Sequence, residues 1–416
     1  MGSPVFTRSH TQISGTDPAP SPHLIFSLLY LAWCVSYMDR AAMTFSAPAL
    51  LHDIHISPTE QGFILGIFYL SYSCMQVPGG WLADRFGAKP VVVAGLIAWS
   101  SFTLGTGLAT SVFGLLAVRF FFGLGEGVFP AASLKALHDA VPVASRDKAP
   151  AALMSSNYFG YLIAPSILLP ILAYMGWRWT FYVMSGAGLL CALLYQFLVP
   201  SQAPPSRTTK GSSLIRALRL PGIPRLMITW FLISFINKAL ESWMPTYLLH
   251  ERGVSIKAAG ILLTLPYAAA TVASIAGGWI MARWFRTKEE VFISISVAFS
   301  CMSLLAMACS ASVISVVGFE TTLYFFKTLV FAAVLCLPAR ALPPEIVGCG
   351  YGLINFGGQF AGFVAPPVIG WLLQAFGSYP IAFFSLLVAG ILALALNLIL
   401  GRFPAYGPDL RPSFPE

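Results

Sequence analysis

Residues 77–89 read Val-Pro-Gly-Gly-Trp-Leu-Ala-Asp-Arg-Phe-Gly-Ala-Lys, and residues 275–287 read Ile-Ala-Gly-Gly-Trp-Ile-Met-Ala-Arg-Trp-Phe-Arg-Thr. Gly79-Gly80-Trp81 returns as Gly277-Gly278-Trp279, 198 residues on. Asn157 returns as Asn355 at the same offset, and Ala164-Pro165 returns as Ala365-Pro366 three residues further on. Each copy ends an apolar run in a short basic loop. Halves repeated in parallel place a ligand site between them, near the middle of a bilayer.

The rest of the chain fits that frame. Of its 416 residues 57% are hydrophobic and 10% are charged, against roughly 25% charge in an ordinary soluble domain. This excludes a disordered chain, a nucleic-acid-binding module and most soluble enzymes. Twelve bilayer spans need ~240 apolar residues, which the chain can supply. Apolar runs predict spans at 23–50, 59–82, 89–110, 111–138, 149–174, 178–200, 223–250, 257–283, 289–311, 313–342, 347–376 and 378–402. The expected organisation is a tail (1–22), a six-helix bundle (23–200), a linker (201–222), a second six-helix bundle (223–402) and a tail (403–416). The fold class is all-α membrane protein. The start of the chain lacks a basic n-region followed by a short apolar core, so no cleavable signal is expected.

Charge placement predicts the orientation. With both termini in the cytoplasm, the inner loops and tails hold 17 Lys and Arg and the outer loops hold 3, namely Arg178, Arg252 and Lys257. That asymmetry satisfies the positive-inside rule. The linker carries Arg207, Lys210, Arg216 and Arg219 without an acid. The seven cysteines all lie in apolar stretches without a CxxC pair, and read as buried thiols rather than ligands. His52, His55, His138 and His250 sit near span ends and form no ligand set.

Charges inside spans are costly and mark function by default. Asp39 and Arg40 fall midway through the first span. Arg119 and Glu126 fall in the fourth, about two helical turns apart and so on one face. Lys238 and Glu241 share a face of the seventh span at i and i+3. Lys327 reads as alone in the tenth. A fixed guanidinium suits an anionic substrate, because its planar fork bonds both carboxylate oxygens. A carboxylate that an arginine leaves can take a proton, which is a physical route to symport. The alternatives stay open: Asp39, Arg119 and Glu126 as a structural network that sets helix register, Arg40 as a snorkelling side chain, and Lys238–Glu241 as a self-neutralising pair. Tyr37, Tyr72, Asn157, Asn237, Asn355 and Gln359 can bond substrate hydroxyls or simply join helices.

Gly80-Trp81-Leu82-Ala83-Asp84-Arg85-Phe86-Gly87-Ala88-Lys89 resembles the loop 2–3 signature of the major facilitator superfamily. The resemblance implies that Gly80, Asp84, Arg85, Gly87 and Lys89 form a conformational latch, with the aspartate capping a neighbouring helix. Ala282 stands where that aspartate would recur, which implies a weaker second latch. Within the superfamily the chain resembles the anion:cation symporters, which include bacterial sugar-acid transporters and the animal sialin and vesicular glutamate transporters. The matching residues are Tyr37-Met38-Asp39-Arg40, Tyr72 with Gln76 to Trp81, Arg119 to Pro130, Trp243 to Tyr247, and Pro344-Glu345 to Gly370. By this resemblance Asp39 and Glu126 carry protons, Arg119 couples to them, and Arg40 anchors the substrate carboxylate. Tyr37, Tyr72 and Asn355 then line the site. Lys238, Glu241 and Lys327 depart from the sugar-acid members, as do Ser156 and Asn157 in the fifth span; Lys238 and Lys327 join the expected substrate-binding residues, and such extra cations suit a dicarboxylate or an aromatic acid.

The expectation is therefore a non-enzymatic, proton-coupled importer of a small organic anion, with sugar acids leading. It works by alternating access in the inner membrane as a monomer surrounded by lipid. Protons are the coupling ion, and no cofactor, metal or nucleic acid is expected. The rivals are a proton-coupled exporter of drugs or metabolites and a nutrient-binding receptor without net transport.

Overall fold

The computed structural model describes residues 21–142, 149–200, 218, 222–285, 288–341 and 344–399. The expected linker and both expected tails lie outside these residues except at their edges. The described residues form thirteen α-helices: α1 (Pro22–Asp53), α2 (Pro58–Phe86), α3 (Ala88–Leu108), α4 (Val112–Gly127), α5 (Phe129–Ala140), α6 (Ala149–Met175), α7 (Trp177–Leu198), α8 (Gly222–Thr246), α9 (Ile256–Trp284), α10 (Glu289–Ala308), α11 (Val313–Ala341), α12 (Pro344–Phe376) and α13 (Tyr379–Ile399). A short π-turn, Tyr247–Glu251, extends α8.

Helices α4 and α5 make one span. Val128 between them keeps a helical backbone (φ −77°, ψ −26°). The break arises because Pro130 lacks the N–H that would bond the Glu126 carbonyl. All twelve expected spans are helices, in two bundles of six with the two-layer pseudo-symmetry of the repeat. Eleven are long and apolar enough to cross a bilayer by length and composition. The exception, α2, buries Gln61, Tyr69, Ser71, Tyr72 and Ser73. It is polar because it faces the other half rather than lipid.

Local chemistry sets the helix ends. Ser57 and Glu60 form a reciprocal capping box at the start of α2, with Pro58 in the first turn. Gly87, with φ +90°, is the single residue between α2 and α3. A side chain there would be strained, which explains the glycine of the loop motif. Gly176 (φ +88°) joins α6 to α7, and Gly377 (φ +62°) marks the equivalent junction before α13.

At the end carrying Asp53, α2 packs backbone to backbone against α12 across the seam. A Cβ on Gly62 would lie 2.5 Å from the Pro366 carbonyl oxygen, and one on Gly370 would lie 2.3 Å from that of Pro58. Gln61 Nε2 donates to Thr246 at 3.1 Å, and Thr59 donates to Gln374 at 2.5 Å. Towards the end carrying Asp84, Asn355 Nδ2 donates to Gln76 Oε1 across the seam at 2.9 Å.

Candidate functional site

Two groups of buried charges occupy the seam. The first belongs wholly to the N-terminal half. Residues four apart on a helix stack on one face, so α1 aims Ser36 and Arg40 together at α4. Arg40 Nε donates to Glu126 Oε1 at 2.9 Å, and Nη2 lies 2.9 Å from the same oxygen. The Ser36 hydroxyl donates to it as well. The other oxygen, Oε2, has no hydrogen-bond partner among the described residues. Three rings surround the guanidinium, its Cζ lying 4.6 Å from the centroid of Tyr37, 4.9 Å from Phe68 and 4.7 Å from Tyr72. Their negative faces favour a cation at that point.

Glycines let α4 come this close. Gly127 leaves room for the Tyr72 carbonyl of α2, 2.8 Å from where its Cβ would stand, and Gly125 does the same for Trp99 N of α3 at 2.9 Å. Thus the Gly123-Leu124-Gly125-Glu126-Gly127 run inserts a carboxylate between three helices.

Asp39 is turned about 100° around α1 from Arg40 and faces α3, where Thr103 donates to Oδ2. Its Oδ1 has no hydrogen-bond partner among the described residues. Arg119 is buried with its Cζ 4.4 Å from the Phe122 ring, and its Nε and Nη1 are likewise unbonded. Of the two arginines, Arg40 is the one that holds Glu126.

The second group joins the halves. Lys238 Nζ on α8 donates to Glu241 Oε2 at 2.9 Å. It also donates to the Tyr69 hydroxyl at 2.9 Å, over whose ring it lies at 4.5 Å. Glu241 in turn accepts from Tyr69 at 3.1 Å, from Asn237 at 3.4 Å and from the Tyr161 hydroxyl. Tyr69 and Tyr161 come from α2 and α6, so a C-terminal carboxylate is clasped by N-terminal hydroxyls. Tyr161 stacks on Tyr267 of α9 with centroids 4.8 Å apart, and Tyr267 meets Tyr324 of α11 at 5.5 Å. Lys327 Nζ rests 3.4 Å from the Tyr324 centroid. Among the described residues no carboxylate lies at ion-pair distance from it.

Lys327 is not alone on its helix. Glu320, two turns earlier, is buried, and its Oε2 has no hydrogen-bond partner among the described residues. Sequence reasoning passed over it, although it falls inside the expected span 313–342. Sequence reasoning also passed over Ser36, Tyr69, Tyr161, Tyr267 and Tyr324. Their signal was polar spacing at helical period along α1, α2, α6, α9 and α11, which interhelical packing explains equally well.

The remaining expected residues spread along the seam. Tyr72 boxes Arg40, whereas Asn355 spans the halves through Gln76. Asn157 Nδ2 contacts Met154 Sδ at 3.8 Å. Its Oδ1, and Oε1 of Gln359, have no hydrogen-bond partner among the described residues. In the loop motif Asp84 accepts from Lys135 Nζ of α5 at 2.5 Å, an ion pair where the resemblance implied a helix cap. Arg85 lies over the Trp81 ring at 5.2 Å, and Lys89 lies at the mouth of α3 beside Lys135. A Cβ on Gly80 would meet Ala131 at an ordinary 3.7 Å, whereas one on Gly79 would strike Val128 at 2.7 Å. Close packing therefore requires Gly79 rather than Gly80. The echoed Gly278 and Ala282 lie outside the residues whose side chains are described.

The family model described as the Major Facilitator Superfamily matches residues 29–366. The chain belongs to the major facilitator superfamily. It is 30% identical to a probable sulfoacetate transporter of Cupriavidus necator, over 93% of this chain and 96% of that one. It is 26% identical to the hexuronate transporter of Bacillus subtilis, over 92% and 94%. A bacterial homologue of the human lysosomal transporter Spinster, solved inward-facing and unoccupied, superposes with a TM-score of 0.80 at 17% identity, covering 92% of this chain and 97% of that one. That last likeness speaks for the major facilitator fold. Family and relatives together make the chain a multi-pass membrane transporter, not an enzyme.

Proposed function

We propose that this transporter carries a small organic anion inward together with protons. The observation that carries the reading is the Arg40–Glu126 pair, set in an aromatic box. One guanidinium serves one carboxylate, so a substrate carboxylate reaching Arg40 competes with Glu126. A buried carboxylate that loses its cation is stabilised by taking a proton. Anion arrival and proton uptake are then one exchange. Ser36 stays behind to bond the protonated acid, and Asp39 serves as the second proton carrier beside Thr103. Arg119 supplies positive field to both acids from the opposite face of the cluster. Tyr37, Tyr72, Asn157, Asn355 and Gln359 contribute hydroxyl and amide groups for the polar body of the substrate. That the relatives are named for organic acids supports the same class of cargo.

The rocking bodies are residues 23–200 and 223–402, joined by 201–222. The surplus of Lys and Arg supports an orientation with the Asp84 end in the cytoplasm of a bacterial inner membrane and both termini on that side. The tight α2–α12 contact then closes the outer side. The Asp84–Lys135 pair and Gly87, with Arg85 and Lys89, hold the inner ends of α2, α3 and α5.

Uptake into proteoliposomes tests the reading, with a panel of organic acids and an imposed inward proton gradient. Gradient-driven accumulation of an acid is expected. Arg40→Ala abolishes it, and Glu126→Gln leaves counterflow exchange without concentration. Uptake indifferent to the gradient would defeat the coupling, and movement of lipophilic cations instead of acids would turn the reading to an exporter.

A further inference from the structure

We propose that Lys238 and Lys327 form a second anion-binding pole, so that the preferred cargo is a small dianion held by Arg40 at one end and by the two lysines at the other. The proposal rests on the organic-anion reading above and narrows it to one class of substrate.

The first argument concerns exchangeability. Lys238 has one carboxylate partner, Glu241, and Glu241 has three further donors in Tyr69, Tyr161 and Asn237. An incoming anion can take the ammonium without leaving Glu241 bare, because those donors remain. The second argument concerns Lys327. Buried cations are normally paired, yet this one faces a tyrosine ring with no carboxylate at ion-pair distance among the described residues. A bound anionic group would offset the cost of burying it.

The third argument is position. Two aromatic contacts separate the poles: Tyr37 lies beside Arg40 and meets the Tyr161 ring edge-on at 5.2 Å, and Tyr161 reaches Glu241. Phe68 and Tyr69 bridge in the same way, with centroids 4.7 Å apart. Arg40 belongs to one half and both lysines to the other. A dianion spanning them ties the halves together, whereas a monoanion engages one pole only.

Matched pairs that differ in one charge test this. Malonate, succinate and glutarate are each compared with their monomethyl esters, and a six-carbon aldarate is compared with the corresponding aldonate, as competitors in counterflow. The wild-type transporter is expected to favour the dianion of at least one pair by roughly tenfold or more, the worth of one charge-assisted hydrogen bond. Lys327→Met and the double variant Lys238→Gln/Glu241→Gln bring that ratio towards one. Lys327→Arg, which keeps the charge, restores it and shows that the loss is not one of folding. Equal preference within every pair, or a preference that survives both neutral variants, overturns the second pole while the Arg40 site stands. Failure of both members of every pair to compete would sink the organic-anion reading and this proposal together.

Discussion

The two charge groups in the seam are built from the same parts and differ in ownership. Arg40, Glu126, Asp39 and Arg119 all come from α1 and α4, within one half. Lys238 and Glu241 come from α8, but two of the hydroxyls that satisfy Glu241 come from α2 and α6, in the other half. A group owned by one half keeps its partners when the halves rock. A shared group must change partners. On the proposed reading, the exchange of a proton for the substrate's carboxylate falls to the first group, while the second, which also offers the further anion pole, is sensitive to the relative position of the halves.

The sharpest way to break this division is to remove the guanidinium. Arg40→Ala leaves Glu126 buried without a cation, a loss that costs about 3–5 kcal/mol when a buried pair is broken on one side. Initial uptake rates should fall at least roughly a hundredfold. Arg40→Lys keeps the charge but not the fork and should recover only part of the rate. Equal rates in wild type and Arg40→Ala would remove the first group from transport.

The shared group should respond differently. Glu241→Ala strands Lys238, whereas Lys238→Met/Glu241→Leu removes both charges. Thermal unfolding in detergent should rank the double variant above Glu241→Ala by about 2–4 kcal/mol, because apolar replacement of a buried pair is tolerated and half a pair is not. If the single and double variants melt together, Lys238 and Glu241 are not energetically coupled.

Substitutions at the Asp53 end of the seam distinguish the two groups without touching either. Gly62→Leu and Gly370→Leu drive side chains into the opposing backbone. They should pry the Asp53 end apart, disturbing the shared group more than the self-contained one. Cysteines placed at Thr59 and Gln374, in a background without exposed thiols, should then cross-link several-fold more slowly than in the parent. Gly80→Ala, with free space at its Cβ, should leave cross-linking unchanged.

The smallest effect is expected at the Asp84 end. Asp84 and Lys135 are partly exposed, and surface ion pairs contribute about 0–1 kcal/mol. Asp84→Asn should hardly move the melting temperature. A loss of transport rate without loss of stability would mark the pair as a latch between states rather than as a brace.

Much of this architecture was legible in the chain. Long apolar runs, single-glycine breaks and the 198-residue echo suffice for twelve spans, because a bilayer allows few other solutions. The charges of the first group stood out for the same reason: Asp39, Arg40, Arg119 and Glu126 interrupt runs that tolerate none. Their pairing did not. Arg40 and Arg119 are equally basic, and which one meets Glu126 depends on the rotation of α1 against α4, set by the glycines that admit Tyr72 and Trp99. The tyrosines of the shared group were silent, since Tyr69 and Tyr161 look like ordinary aromatic packing until another half of the molecule is beside them. Glu320 interrupts the tenth span as Lys327 does, and was passed over.

Proton uptake on substrate binding tests the central claim most directly. The purified transporter is mixed with a transported acid in weakly buffered solution containing a pH indicator. The exchange at Arg40 predicts that binding withdraws protons from the medium in the wild type, and that Glu126→Gln binds the same acid with that withdrawal diminished or lost. Binding without proton uptake in the wild type, or undiminished uptake in Glu126→Gln, would contradict it.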